Sequence, residues 1–135
     1  MEVAGFTFTI GELDGCRLIE SVFPHSIDKS RVWTVASSYP TLWDESRPTV
    51  TMNDVTQLGP LSDEARGVLK WVLQQNMRRA TLVATSWVTG GDEQVRERIC
   101  SVLTEVGRPT ETVFATREEA IEYLRERIRA SRDAE

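Results

Sequence analysis

The chain has 135 residues, 40 % hydrophobic and 27 % charged, the size and balance of one ordinary globular domain. Its 16 Lys and Arg against 21 Asp and Glu leave a net charge of −5. That charge argues against nucleic acid, whose phosphates need a basic footprint, and against an anionic membrane surface.

Two cysteines, Cys16 and Cys100, stand far apart without CxxC spacing or a histidine cluster, so both read as free thiols packed as small hydrophobes. Neither a metal nor a cofactor is expected. The N-terminal "MEVAGFTFTI" lacks a basic segment followed by an apolar run, and no stretch approaches the roughly 20 apolar residues of a membrane span. The expectation is a cytoplasmic protein, one domain over residues 1–135 with an ordered core of about 5–130.

In chain order, "FTFTIGE" at 6–12 alternates Phe6, Phe8 and Ile10 with threonines, the period of a half-buried strand. "LDG" turns the chain and "CRLIESV" at 16–22 returns as a second strand, so the two predict a β-hairpin. Residues 28–45 place Val32, Val35, Ala36, Tyr39 and Trp43 at helical spacing. Asp28 or Ser26 is the cap candidate and Pro40 is expected to break the helix. "PTVTMND" at 48–54 is a short strand.

"SDEARGVLKWVLQQNMRR" at 62–79 predicts an amphipathic helix with Ala65, Val68, Leu69 and Val72 on its apolar face and Leu73 and Met77 as candidates to extend it. Asp63 and Glu64 suit its start, and Arg78 and Arg79 its last turn. "ATLVATSWV" at 80–88 is the most strand-like segment. From Asp92 a helix carries Val95, Ile99, Val102, Leu103 and Val106 in one stripe, closed by Gly107 as C′ residue. "TETVFAT" at 110–116 predicts a strand, and "TREE" at 116–119 a capping box for a last helix with Ala120, Ile121, Leu124 and Ile128 inward. The tail beyond about Ala130 is expected to fray. The order β-β-α-β-α-β-α-β-α predicts an α/β fold: a mixed sheet whose N-terminal hairpin is followed by βαβαβα, with helices packed on the sheet.

In such sheets ligands bind beyond the carboxyl ends of the parallel strands. Asp54, Thr56, Ser62, Asp63, Ser86 and Trp87 lie in or beside the loops expected there. Asp54 has no marked partner and also reads as a turn residue. His25 is the only histidine and no nucleophile elbow accompanies it, so an enzyme built on Asp54, His25 and Ser86 is the least supported class. Trp71 lies beside the apolar stripe of its helix and is a candidate contact surface. Trp33, Tyr39 and Trp43 are candidates to line a pocket for an apolar ligand.

The hairpin, the βαβαβα order and the closing "TVFATREEAIEYL" together resemble the STAS-like superfamily, over about Phe6 to Ile128. Thr112, Val113, Phe114, Thr116, Glu118, Glu119, Ala120 and Leu124 carry the likeness to its small bacterial members. The superfamily includes anti-sigma-factor antagonists, in which a serine after an aspartate opens the helix following the second core strand and is phosphorylated. Ser62 takes that place here, but Leu61 replaces the acid and Asp63 and Glu64 follow, so a plain N-cap competes with a switch. The resemblance implies a non-enzymatic regulatory module that contacts a protein partner or a second copy. The alternative it implies is a carrier of a small lipid-like ligand.

Overall fold

The structure is a computed structural model, and it describes residues 1–134. Six strands form one sheet in sequential order: β1 (Glu2–Val3), β2 (Phe6–Leu13), β3 (Cys16–Val22), β4 (Thr49–Asp54), β5 (Leu82–Val88) and β6 (Val113–Phe114). The β1–β2 and β2–β3 pairs are antiparallel, whereas β3 through β6 pair in parallel. The helices are α1 (Lys29–Ser38), α2 (Asp63–Met77), α3 (Glu93–Glu105) and α4 (Arg117–Asp133). The predicted α/β architecture is thus the observed one.

Topology places the helices. Each parallel step moves one strand the same way along the sheet, so crossovers of one hand put α1, α2 and α3 on a common face. There they bury Phe6, Phe8, Ile19 and Trp87 beneath Val32, Val35, Leu69 and Ile99. α4 follows the last strand and returns over the opposite face, where Ala120, Leu124 and Ile128 cover Leu18, Val50, Met52 and Ala84.

The caps are local; those of α2, α3 and α4 match expectation, and of the two candidates for α1 it is Asp28 that serves. Asp28 accepts from the Arg31 N–H at 2.8 Å, Ser62 from Ala65 at 3.1 Å, Asp92 from Gln94 at 2.9 Å and Thr116 from Glu119 at 3.2 Å. Pro40 converts the end of α1 into a 3₁₀ turn over Tyr39–Leu42. Gly107 has φ +75°, with its N–H on the Thr104 carbonyl and the Arg108 N–H on that of Leu103, the paired bonds of a Schellman close.

One unpredicted strand and three boundaries differ from expectation. β1 pairs with β2 through a two-residue turn at Ala4–Gly5, both with positive φ, a turn type that matches strand twist. β6 shrinks to two residues because Thr110–Thr112 curl into a 3₁₀ turn ahead of it. α2 ends at Met77, so Arg78 is its C-cap and Arg79 lies beyond its last turn. α4 does not fray at Ala130 but runs to Asp133, because the Arg132 guanidinium donates to the Asp14 carbonyl in the β2–β3 turn. The ordered chain therefore extends past both ends of the expected core.

Candidate functional site

A cavity of about 60 Å³ lies between the three-helix face and the sheet. It is roofed by α1, the Tyr39–Leu42 turn and α2, and is partly open to solvent. Its walls are apolar: Phe8 and Phe23 from the hairpin, Trp87 from β5, and Leu69, Val72 and Leu73 from α2. Its floor is not. Ser21, Thr51, Asn53 and Thr85 line it from three neighbouring strands, at the alternate positions that face these helices. The Thr51 hydroxyl donates to that of Thr85 at 2.8 Å, and the Asn53 amide reaches the Ser86 carbonyl at 3.5 Å.

One end of the cavity is built by residues just ahead of the parallel strands. Tyr39 and Trp43 stand there edge to face, with ring centroids 6.2 Å apart. The Arg79 guanidinium stacks 4.7 Å from the Trp43 ring centroid and is anchored to Glu45 at 2.7 Å. Burial pushes the Tyr39 phenol up to about 12, against smaller opposing pulls from Arg79 and Trp43. The Trp43 indole N–H is buried and faces the Tyr39 hydroxyl, whose pKa it pulls down. Arg108 completes this end and is the one charged residue in the lining.

A different feature sits outside. Trp33 of α1 and Trp71 of α2 are 42 % and 44 % exposed, yet their ring centroids lie 5.0 Å apart. Two half-exposed indoles from different helices meet on the seam between them.

No known protein family matches the chain, and a search of curated proteins finds no relative.

The residues marked in the sequence do not gather at one site. Asp54 accepts the Thr56 N–H at 2.9 Å, a local turn, and also borders a second small cleft on the α4 side with Glu20 and Arg117. Ser62 caps α2, and Asp63 occupies its first turn. Ser62 and Trp71 are nine residues apart, half a turn round the helix axis and about 13 Å along it, so they share no surface. Trp87, expected in an exposed loop set, is 2 % exposed in the core, because the side chain at that strand position points under α2 and α3 rather than outward.

Of the expected apolar lining, Tyr39 and Trp43 face the cavity and Trp33 does not. Val32 and Val35 are the buried positions of α1, and Trp33 lies on the other side of that helix.

The loops at the carboxyl ends of the strands use their polar groups on themselves. Thr89 donates to the Phe114 carbonyl at 3.3 Å, and Asp92 holds two N–H groups of α3. His25 meets the Gln57 carbonyl at 3.0 Å, with Gly59 tight against its ring. Ser86 faces α4, fully buried, with its hydroxyl unpartnered among the described residues. Both cysteines are free, and no cluster of three or more His, Cys, Asp or Glu that could hold a metal occurs among the described residues. No helix there is long and apolar enough to cross a membrane.

Sequence reasoning did not mark Arg108, Phe8, Phe23 or the threonine floor. The alternation of β4 and β5 hinted at the floor, since Thr49, Thr51 and Asn53 share one face of a strand that lies inside the sheet. Nothing local pointed to Arg108 beyond its place after a helix-ending glycine.

Proposed function

We propose that the chain is a non-enzymatic binding module of STAS-like type, docking a protein partner through the Trp33–Trp71 seam of α1 and α2. The supporting observation is the pairing of two half-exposed tryptophans across two helices. Tryptophan dominates binding hot spots because it offers a large rigid apolar area with one polar handle. Around the seam, α1 carries no acid and the acids of α2 are confined to its first turn, in a chain that is acidic overall. The partner this surface suits presents an apolar pocket with an acidic rim. The hairpin followed by three same-face crossovers supports retaining the STAS-like kinship within this reading. Ser62 enters it as a helix cap, on the far side of α2 from Trp71.

The test is a double substitution, W33A with W71A. Both side chains lie outside the core, so the melting temperature should change little. Capture of a partner from the native host should be lost. A partner retained by the double variant would sink the docking role of the seam. The cavity favours a second reading, small-ligand binding. A lipid-like ligand would require α1 and α2 to part, because about 60 Å³ falls well short of the roughly 300 Å³ or more that houses a drug-sized molecule.

A further inference from the structure

We propose that the chain pairs with a second copy of itself along the open edge of β2, in an antiparallel two-fold register centred on Gly11. β2 alternates cleanly at its start, with Phe6 and Phe8 buried beneath the helices. Ile10 continues their face, yet it is 45 % exposed, and every residue from Thr9 to Glu12 is exposed. The backbone of this stretch is open as well. In an antiparallel strand, alternate residues turn their N–H and C=O to the same side. Phe8 turns both toward Met1, whose carbonyl accepts its N–H at 2.8 Å. Ile10 and Glu12 therefore turn theirs the same way, while Thr9 and Gly11 turn theirs to Glu20 and Leu18 of β3. β1 covers β2 only as far as Phe8, and among the described residues no strand lies beside Ile10 and Glu12.

This edge is complementary to itself. With the two-fold axis at Gly11, Ile10 of each copy faces Glu12 of the other, and each such pair exchanges both N–H and C=O. Gly11 then meets its own copy at the non-bonded position, where Cα atoms approach to about 4.5 Å. It brings no Cβ there, and the space beside it is open. Centring the axis on Ile10 would set Glu12 against Phe8, whose backbone groups are taken. Centring it on Glu12 would set carboxylate against carboxylate. In the Gly11 register each Glu12 lies opposite an isoleucine, its charge already held by Arg47 at 2.9 Å. Nothing along Thr9–Glu12 guards the edge: it has no proline, no lysine and no bulge. The pairing uses neither Trp33 nor Trp71, so it stands apart from the tryptophan seam.

The experiment is sedimentation of the chain up to about 1 mM, the scale of a weak complex, with amide hydrogen exchange read at the same concentrations. The expected result is a monomer–dimer equilibrium in which exchange at Ile10 and Glu12 slows as concentration rises, while Thr9 and Gly11 stay protected throughout. I10E sets a carboxylate against Glu12 of the other copy at both ends of the contact and should weaken dimerisation about tenfold or more. Adding E12K makes each contact an opposite-charge pair and should bring dimerisation back to within about threefold of the unmodified chain. Both positions are exposed, so neither variant should lower the melting temperature. A monomer at the highest concentration, exchange at Ile10 and Glu12 that is slow at every concentration, a dimer that survives I10E, or one that I10E/E12K does not restore would each overturn the proposal. W33A/W71A should leave this dimer intact, and its loss there would overturn the proposal too. Partner capture tests the seam alone, so the docking reading and this one fail by different results.

Discussion

The two faces of the sheet are covered by different means. Under α4, Leu18, Val50, Met52, Ala84 and Val88 meet Ala120, Leu124 and Ile128 in an aliphatic layer, and the three α4 residues are essentially inaccessible. Under α1, α2 and α3 the layer is aromatic, its floor holds Ser21, Thr51, Asn53 and Thr85, and a cavity remains. Small branched side chains pack to the density of an organic crystal, whereas rigid rings over hydroxyls leave space that only a matching group fills. One face of the same sheet therefore secures the fold, and the other has room to bind.

Substitutions can break or sharpen that contrast. The largest effect belongs to the α4 face. Leu124→Ala should cost about 2–5 kcal/mol in urea unfolding, because the tight layer cannot collapse into the void. Next comes alkali. The folded pKa of Tyr39 is raised by burial, so its contribution is fully present below about pH 10 and is lost as pH rises toward 12. The loss should be on the order of 2–3 kcal/mol and should vanish in Tyr39→Phe. Absorbance titration should show Tyr39 ionising only with unfolding, and early ionisation of both tyrosines would remove the burial argument.

The polar floor gives a smaller effect. Thr85→Val strands the Thr51 hydroxyl and should cost about 1–2 kcal/mol, and adding Thr51→Val should restore most of it, because both partners are then apolar. An additive double variant would show that the pair is not coupled. Ser62→Ala should cost about 1 kcal/mol, while Ser62→Asp, itself a good cap, should be close to neutral. Intact mass measurement from the native host reads directly whether Ser62 carries a phosphate. The smallest effect is at Glu105, whose carboxyl the Arg66 and Lys70 hydrogen bonds hold down at about 2. Its stabilising contribution is complete above about pH 4.5 and is lost as pH falls toward 2. Glu105→Gln should flatten the acid limb of the stability curve slightly, with little change at neutral pH, because the pair is on the surface.

The sequence by itself determined the element order from Phe6 onward, the caps of α2, α3 and α4, the break at Pro40 and the glycine close of α3, and it narrowed the cap of α1 to two residues. Each rests on side chains within a few residues of the backbone they serve, so period and spacing suffice. It also separated the apolar stripes of α2, α3 and α4, Met77 at the exposed end of α2 excepted, because burial of a helix stripe needs only some core to face. Only the tertiary structure decided which tryptophans are inside. Trp87 and Trp71 look alike in sequence, but strand parity sends one under the helices, while α2 turns the other outward to meet Trp33. The stacking of Arg79 on Trp43 spans 36 positions (79 − 43) and depends on two separate connections returning to the same end of the sheet. Local chemistry carries no record of such a convergence, since it is set by handedness and strand order rather than by any neighbouring residue.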